Sequence, residues 1–334
     1  MPNIALRPRL RGVRPGVLDG PLDPLAADES QPDIISAGDV RWLHLERPRE
    51  ADRDWLEREF GFHPLAIEDV ASRNQRPKLD AYDDYLFIVL HFAVFDKPSG
   101  RLLTAELDLF VGPDFLITLP DQTIPPLAAM FERYREREEV RSNTFGKGTG
   151  YLLYKIVDTC VDASFPMLRK MGAKLDELED DIFEGRSDKI VQDISNAKQE
   201  IINFRRVVRP MRAVLRDLER TKQRYLQEDL DVYFDDITDA AERIWDVLEN
   251  YKEVAEALED SNESVLSHRL NESLRVLTAF SVAMLPLTLL ASIFGMNVTL
   301  PGQPGSQAEF LVIIGIMLVT LVGVLLFFRR RGYL

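Results

Sequence analysis

Two uncharged apolar runs near the C-terminus, 276–296 and 310–328, constrain this chain of 334 residues more than any other feature. At a helical rise of about 1.5 Å per residue, each can cross a hydrocarbon core of roughly 30 Å. Within lipid a backbone must satisfy its own hydrogen bonds, so each run reads as a transmembrane helix. The segment between them holds no Lys or Arg and one acid, Glu309. Arg329, Arg330 and Arg331 follow the second run, and Arg269 and Arg275 precede the first. Positive residues stay on the cytoplasmic side, which places both termini inside the plasma (inner) membrane and only a small loop outside. Residues 1–275 are then expected in the cytosol. The N-terminus is rich in Arg and Pro and has no apolar signal-peptide core. A single cysteine, Cys160, fits a reducing compartment and reads as a core thiol.

Two spans cannot enclose a path for a hydrophilic solute, so transport would require several copies around one axis, a cyclic homo-oligomer in the lipid bilayer. A soluble domain merely anchored by the hairpin is the alternative. The helix leading into the membrane favours the first. Between 226 and 263 there are fourteen acids against two basic residues, Arg243 and Lys252. Nine of them, Asp235, Asp239, Glu242, Asp246, Glu249, Glu253, Glu256, Asp260 and Glu263, recur in steps of four and three. That spacing draws one stripe along a helix. A second, apolar stripe runs through Phe234, Ile237, Ala241, Ile244, Leu248, Tyr251, Ala255 and Leu258. A charged stripe usually marks a solvated face. Continued at the same spacing, this one passes Ser267, Leu270 or Asn271, Leu274, Leu277, Ser281, Leu285, Thr288 and Ser292. A ring of such helices would form an acidic funnel, including Asp260, leading to a narrow tube, and acidic walls concentrate divalent cations.

The first run ends in Gly295-Met296-Asn297, and other segments accompany it in consistent order. They are His63-Pro64-Leu65-Ala66-Ile67-Glu68-Asp69-Val70, Arg76-Pro77-Lys78-Leu79, Phe115-Leu116-Ile117-Thr118, residues 175–185, Asn271 to Thr278, and Met284-Leu285-Pro286-Leu287-Thr288. Together they resemble the CorA family of divalent-cation (magnesium and cobalt) channels over roughly 35–334. The resemblance implies a homopentamer. It also implies an α/β cytosolic domain, a long helical stalk and two C-terminal transmembrane helices.

The organisation read along the chain agrees. Residues 1–35 read as a mobile tail. An α/β domain is expected over 36–145, with strands at 40–45, 85–95, 106–111 and 115–119. Helical arms follow over 146–229, with Gly185 as a stop and a second helix from Ser187 to about Gln223 interrupted near Pro210. The stalk is expected over 230–275, then the pore helix 276–296, the outer loop 297–309, the second span 310–328 and a basic cytoplasmic end 329–334. A nucleophilic triad, a phosphate loop and a zinc cluster are all absent, and the four histidines lie apart in sequence, so nothing suggests an enzyme, an organic cofactor or nucleic acid. His63 before Pro64 reads as structural.

What the resemblance implies for single residues follows the family's motif. Asn297 forms the outer selectivity ring, with Gly295 allowing close helix approach and Met296 packing beside it. Asn271 forms an inner polar ring, and Leu277 and Leu285 narrow the tube. Asp236 corresponds to the stalk-helix aspartate of a regulatory Mg²⁺ sensor, with Asp96 as a candidate partner. The transported ion would be Mg²⁺, with Co²⁺ and Ni²⁺ also admitted, driven by membrane potential and gated by intracellular Mg²⁺. The Pro- and Gly-rich, nearly neutral outer loop is closer to the ZntB branch, associated with zinc and proton coupling, which stays open as an alternative.

Overall fold

The computed structural model describes residues 32–72, 75–96, 98, 100–184, 189–225, 229–296 and 307–331. By compactness the chain divides into two units, Met1–Leu178 with Gln192–Glu256, and Glu179–Val191 with Ala257–Leu334.

In the first unit the strands are β1 (Asp33–Ala37), β2 (Val40–His44), β3 (Lys78–Ala81), β4 (Leu86–Asp96), β5 (Arg101–Val111) and β6 (Phe115–Pro120). They form one sheet in the order β1-β2-β6-β5-β4-β3. Neighbours are antiparallel except β2 and β6, which run parallel. Helices α1 (Glu50–Phe60) and α2 (Pro64–Ala71) bring Trp55, Leu56, Ala66 and Ile67 into the core that holds Leu43, Phe87, Phe110 and Ile117 of the sheet. Side chains alternate across a strand, so Trp42 points the other way. Its ring meets Phe131 and Tyr134 of α3 (Pro125–Glu136) edge-on at 4.9 and 5.9 Å. Helices α4 (Glu138–Phe145) and α5 (Thr149–Asp162) complete that layer. The result is an α/β/α sandwich.

Strands β1 and β3 were not expected from the sequence, and β1 begins at Asp33, inside the stretch read as tail. Both are short edge strands with few buried positions, so neither carries the apolar alternation that marks a strand. Strand β5 begins at Arg101, earlier than expected, because its first four residues extend the hairpin with β4 in solvent. Residues 1–31 lie outside the described residues, as do the expected stop at Gly185 and start at Ser187.

Two of the motif segments have local explanations. His63 caps α2: its Nδ1 accepts from Leu65 N at 3.2 Å, and Pro64 opens the helix where no N–H is needed. Lys78 bridges Asp69 of α2 and Asp80 of β3, each at 2.6 Å, and ties helix to sheet.

Beyond the sandwich run α6 (Ser164–Glu184), α7 (Ile190–Tyr225), α8 (Asp231–Phe294) and α9 (Gln307–Arg330). The expected interruption at Pro210 is absent: α7 continues through it. Val207, Val208, Met211 and Val214 around the proline are buried, and that packing offsets the hydrogen bond the ring removes.

Three acids are buried among the described residues: Asp52, Glu106 and Asp108. Asp108 of β5 is 4% exposed and its Oδ1 has no hydrogen-bond partner. Burial holds its carboxyl well above the usual range. Glu106, Asp121 and Asp69 push the same way, and Lys78 opposes them. The folded chain thus keeps a proton that the unfolded chain releases above about pH 3.9. This contribution to stability is present below that value and is lost as pH rises through the folded value. Denaturant unfolding should therefore show a stability that declines with rising pH, and Asp108→Asn should flatten that decline. An unaltered pH slope in the variant would mean that Asp108 is ionised in the fold.

Candidate ion pathway and cation-sensing residues

The first-unit part of α8 is anchored by the apolar stripe. Phe234, Ile237, Ala241, Ile244, Leu248 and Ala255 are buried. Gly172 of α6 lies so close to α8 that a Cβ there would stand 2.4 Å from the Tyr251 hydroxyl. The acidic stripe occupies a neighbouring face and is only partly solvated. Glu242 is paired with Arg212 and Arg216 of α7, and Glu249 with Arg205. The Trp245 ring lies within 5.0 Å of the Arg205 guanidinium and 4.9 Å of the Arg212 guanidinium, both from α7. Glu242 is held below the usual carboxylate range: burial opposes this, but its hydrogen bonds to Arg212 and Arg216 outweigh it. These two acids therefore face the arm, a correction to the reading of all nine as one free cation-facing row. Asp235, Asp239, Asp246 and Glu253 remain exposed.

In the second unit, α8 leaves Asp260 and Glu263 exposed. They line an open depression with Ser264, Ser267, His268 and Asn271. Every position read as pore-lining is exposed in the single chain: Asn271, Leu274, Leu277, Ser281, Leu285, Thr288 and Ser292. Leu277 is 60% and Leu285 69% exposed. Among the described residues of 271–296, only Ala279 and Ala283 are buried. At 100° per residue these alanines lie on the side of the helix away from Ser281 and Leu285. The Ser281 hydroxyl donates to the Leu277 carbonyl and the Thr288 hydroxyl to that of Met284, each at 2.9 Å. Helix α8 continues through Pro286 and ends at Phe294, with Gly295 N donating to Ala291 O at 2.9 Å. A Cβ on Gly295 would stand 3.0 Å from that same oxygen, so a larger residue would crowd the turn. Met296 is exposed. Asn297 lies outside the described residues, as does the outer loop up to 306. Among the described residues, α8 and α9 are the two helices long and apolar enough to cross a bilayer.

Asp96 ends β4 at the hairpin, opposite Arg101, and is half-buried. Asp236 is exposed near the start of α8. Asp162 of α5 acts electrostatically together with it. The Asp162 carboxyl is raised, first by burial and then by Asp158 and Asp236, while Lys155 and Arg243 lower it. Lys155 Nζ is 3.3 Å from Asp158 Oδ2. Sequence reasoning missed Lys155, Asp158 and Asp162. Their signal was available: three charges spread over about two turns of a helix that is otherwise largely buried. Among the described residues of one chain, no three His, Cys, Asp or Glu side chains are arranged to hold a metal ion.

Residues 37–330 match the family model described as CorA-like Mg²⁺ transporter protein. The chain is 30% identical over 306 residues to YfjQ of Bacillus subtilis, covering 91% of each. It is 29% identical to the cobalt/magnesium transport protein CorA of Thermotoga maritima, covering 82% of this chain and 78% of that one. Similarity at 22% identity extends to the zinc transport protein ZntB of Yersinia pseudotuberculosis, over 86% of each. The solved CorA magnesium transporter of Methanocaldococcus jannaschii superposes with a TM-score of 0.79 at 19% identity, covering 90% of this chain and 94% of that one.

Proposed function

Because the chain belongs to the CorA-like family of divalent metal ion transporters, we propose that it conducts hydrated Mg²⁺ into the cytosol along the axis of a homopentamer. Co²⁺ and Ni²⁺ share the path, and intracellular Mg²⁺ closes it. The observation that supports this reading is that one chain covers Ala279 and Ala283 while the positions from Asn271 to Ser292 on the other side of the helix stay exposed, as do Val276, Phe280 and Leu289. Repeated about an axis, that face alternates polar stations with the apolar constrictions of Leu277 and Leu285. Apolar constrictions gate by dewetting.

Mg²⁺ demands octahedral oxygen coordination and gives up its waters reluctantly. A ring of Asn297 amide oxygens accepts hydrogen bonds from the ion's own water shell and avoids that cost. Potential drives the flow: about 2.3 kcal/mol per unit charge per 100 mV, hence about 4.6 for a dication, with no organic cofactor. Both termini are cytoplasmic, and the membrane is the plasma membrane. A second reading, zinc transport with proton coupling, is favoured by the nearly neutral loop after Asn297 and by the ZntB similarity.

Ion flux in liposomes separates these readings. Wild type should admit Mg²⁺, and Asn297→Ala should abolish that uptake while the oligomer keeps its size. Zn²⁺ uptake that responds to a pH gradient would favour the second reading, and no flux would leave a membrane-anchored interaction protein.

The orientation of α8 can be checked without flux. Cys160 is 3% exposed and burial pushes its thiol up to about 12, so the native chain is silent to thiol reagents. Ser281→Cys and Thr288→Cys should react with a small charged reagent in membranes, and Ala283→Cys should not. The reverse pattern would overturn the assigned face.

Asp236 is read as part of the cytosolic Mg²⁺ brake. A dication between facing carboxylates neutralises their repulsion and favours the closed assembly. Mg²⁺ should protect wild type from protease, and Asp236→Ala should need much more Mg²⁺. An equal midpoint would return Asp236 to surface charge.

A further inference from the structure

In the segment Phe115-Leu116-Ile117-Thr118 the last side chain is fully buried, and its hydroxyl is shared among three partners. Trp42 Nε1 donates to Thr118 Oγ1 at 3.0 Å, and His44 Nδ1 is 2.8 Å from the same oxygen. The hydroxyl also reaches the Leu43 carbonyl at 3.3 Å. An indole nitrogen can only donate, and a hydroxyl has one proton and two lone pairs. Trp42 therefore occupies one lone pair at all times, and the proton and the other lone pair serve His44 and Leu43. With a neutral ring and an open Nδ1, the Thr118 proton goes to His44, the shorter contact. With a protonated ring, Nδ1 donates to the second lone pair and the Thr118 proton turns to the Leu43 carbonyl. One hydroxyl satisfies both states without releasing Trp42.

The same imidazole supports α3. It stacks on Phe131 with 5.0 Å between centroids and 32° between planes, and Trp42 meets that ring edge-on. Asp33 of β1 lies opposite His44 in the strand register. Arg135 of α3 bonds Asp33 at 3.3 Å and Glu132 at 2.5 Å, and Glu46 accepts from Thr123. Among the described residues, the charged groups facing His44 are thus Glu46 after β2, Asp33 on β1 and Glu132 on α3, with Arg135 bound to the last two. Burial holds the imidazole below its ordinary value and outweighs Glu46, Asp33 and Glu132, which raise it.

We propose that His44 and Thr118 form a proton-operated switch beneath α3, in which neutral His44 seats the helix on the sheet and protonated His44 loosens it. A charged ring under Phe131 draws water into an apolar contact. It also sets a second cation beside the Asp33 carboxylate that Arg135 uses to tether α3 to β1. The unfolded chain takes up this proton near pH 6.5, about the ordinary histidine value, and the folded chain only at lower pH. The contribution to stability is therefore fully present above that value and is lost as pH falls through the folded value. Asp108 changes stability in the opposite direction, and it stands on the sheet face that carries Phe110, so a readout local to α3 separates the two.

The test is hydrogen exchange of residues 125–136 in the intact chain, corrected for the chemical rate. In wild type it should rise severalfold between about pH 8 and about pH 5. His44→Gln, which is neutral throughout, should remove that rise, whereas a merely structural histidine would leave exchange faster at every pH with the rise intact. Thr118→Ser keeps the hydroxyl and should keep the rise. Glu46 is exposed, and Glu46→Gln takes away an acid that favours the charged ring, so the midpoint should move to lower pH. That variant keeps the test decisive if His44→Gln fails to fold. A flat wild-type profile, a rise that persists in His44→Gln, a rise lost in Thr118→Ser, or a Glu46→Gln midpoint that is unchanged or higher overturns the proposal.

Discussion

Like-charge repulsion along α8 is the condition that the rest of the first unit must meet. Acids three and four residues apart destabilise a helix by tenths of a kcal/mol per pair, and nine of them recur at that spacing. The chain answers in two ways. Phe234, Ile244 and Leu248 bury one side of the helix, which holds it in place whatever its surface charge. Arg205, Arg212 and Arg216 of α7 then take up Glu242 and Glu249, with Trp245 packed between two of the guanidiniums. Arginine suits this place because its planar group can stack and pair at once, which a lysine cannot. The arm is thus an electrostatic partner of the stalk as well as a packing one, and the acids that stay exposed are those the arm does not reach.

The large features were legible because they depend on local pattern. Uncharged runs long enough to span, the apolar stripe of α8 and the β-rich stretches of 85–119 all announce themselves through period and length. Features set by distant partners were not. Strands β1 and β3 exist because β2 and β4 offer them an edge, and their own residues say little. Pro210 looked like a break, since the signal in its neighbours, Val207, Val208 and Met211, becomes strong only once those residues are buried. The same holds for charge. The spacing of the α8 acids gave their row, but only the position of α7 tells Glu242 and Glu249 from Asp246. The electrostatic coupling of Asp162 to Asp236 likewise depends on the contact between Tyr233 and α5, across more than seventy residues of sequence.

Two of the four hydroxyl side chains in 276–296, those of Ser281 and Thr288, carry a consequence for the sign of charge. Ser281 and Thr288 each donate their single proton to a carbonyl four residues back. What each oxygen still offers outward is lone pairs alone. A hydrated cation turns hydrogens outward, and a hydrated anion turns oxygens. In the proposed pore, hydroxyls such as these two, whose protons are spent on their own backbone, would welcome the first kind of shell and offer nothing to the second. Discrimination by sign would then need no charged side chain within the bilayer, where one is expensive to hold.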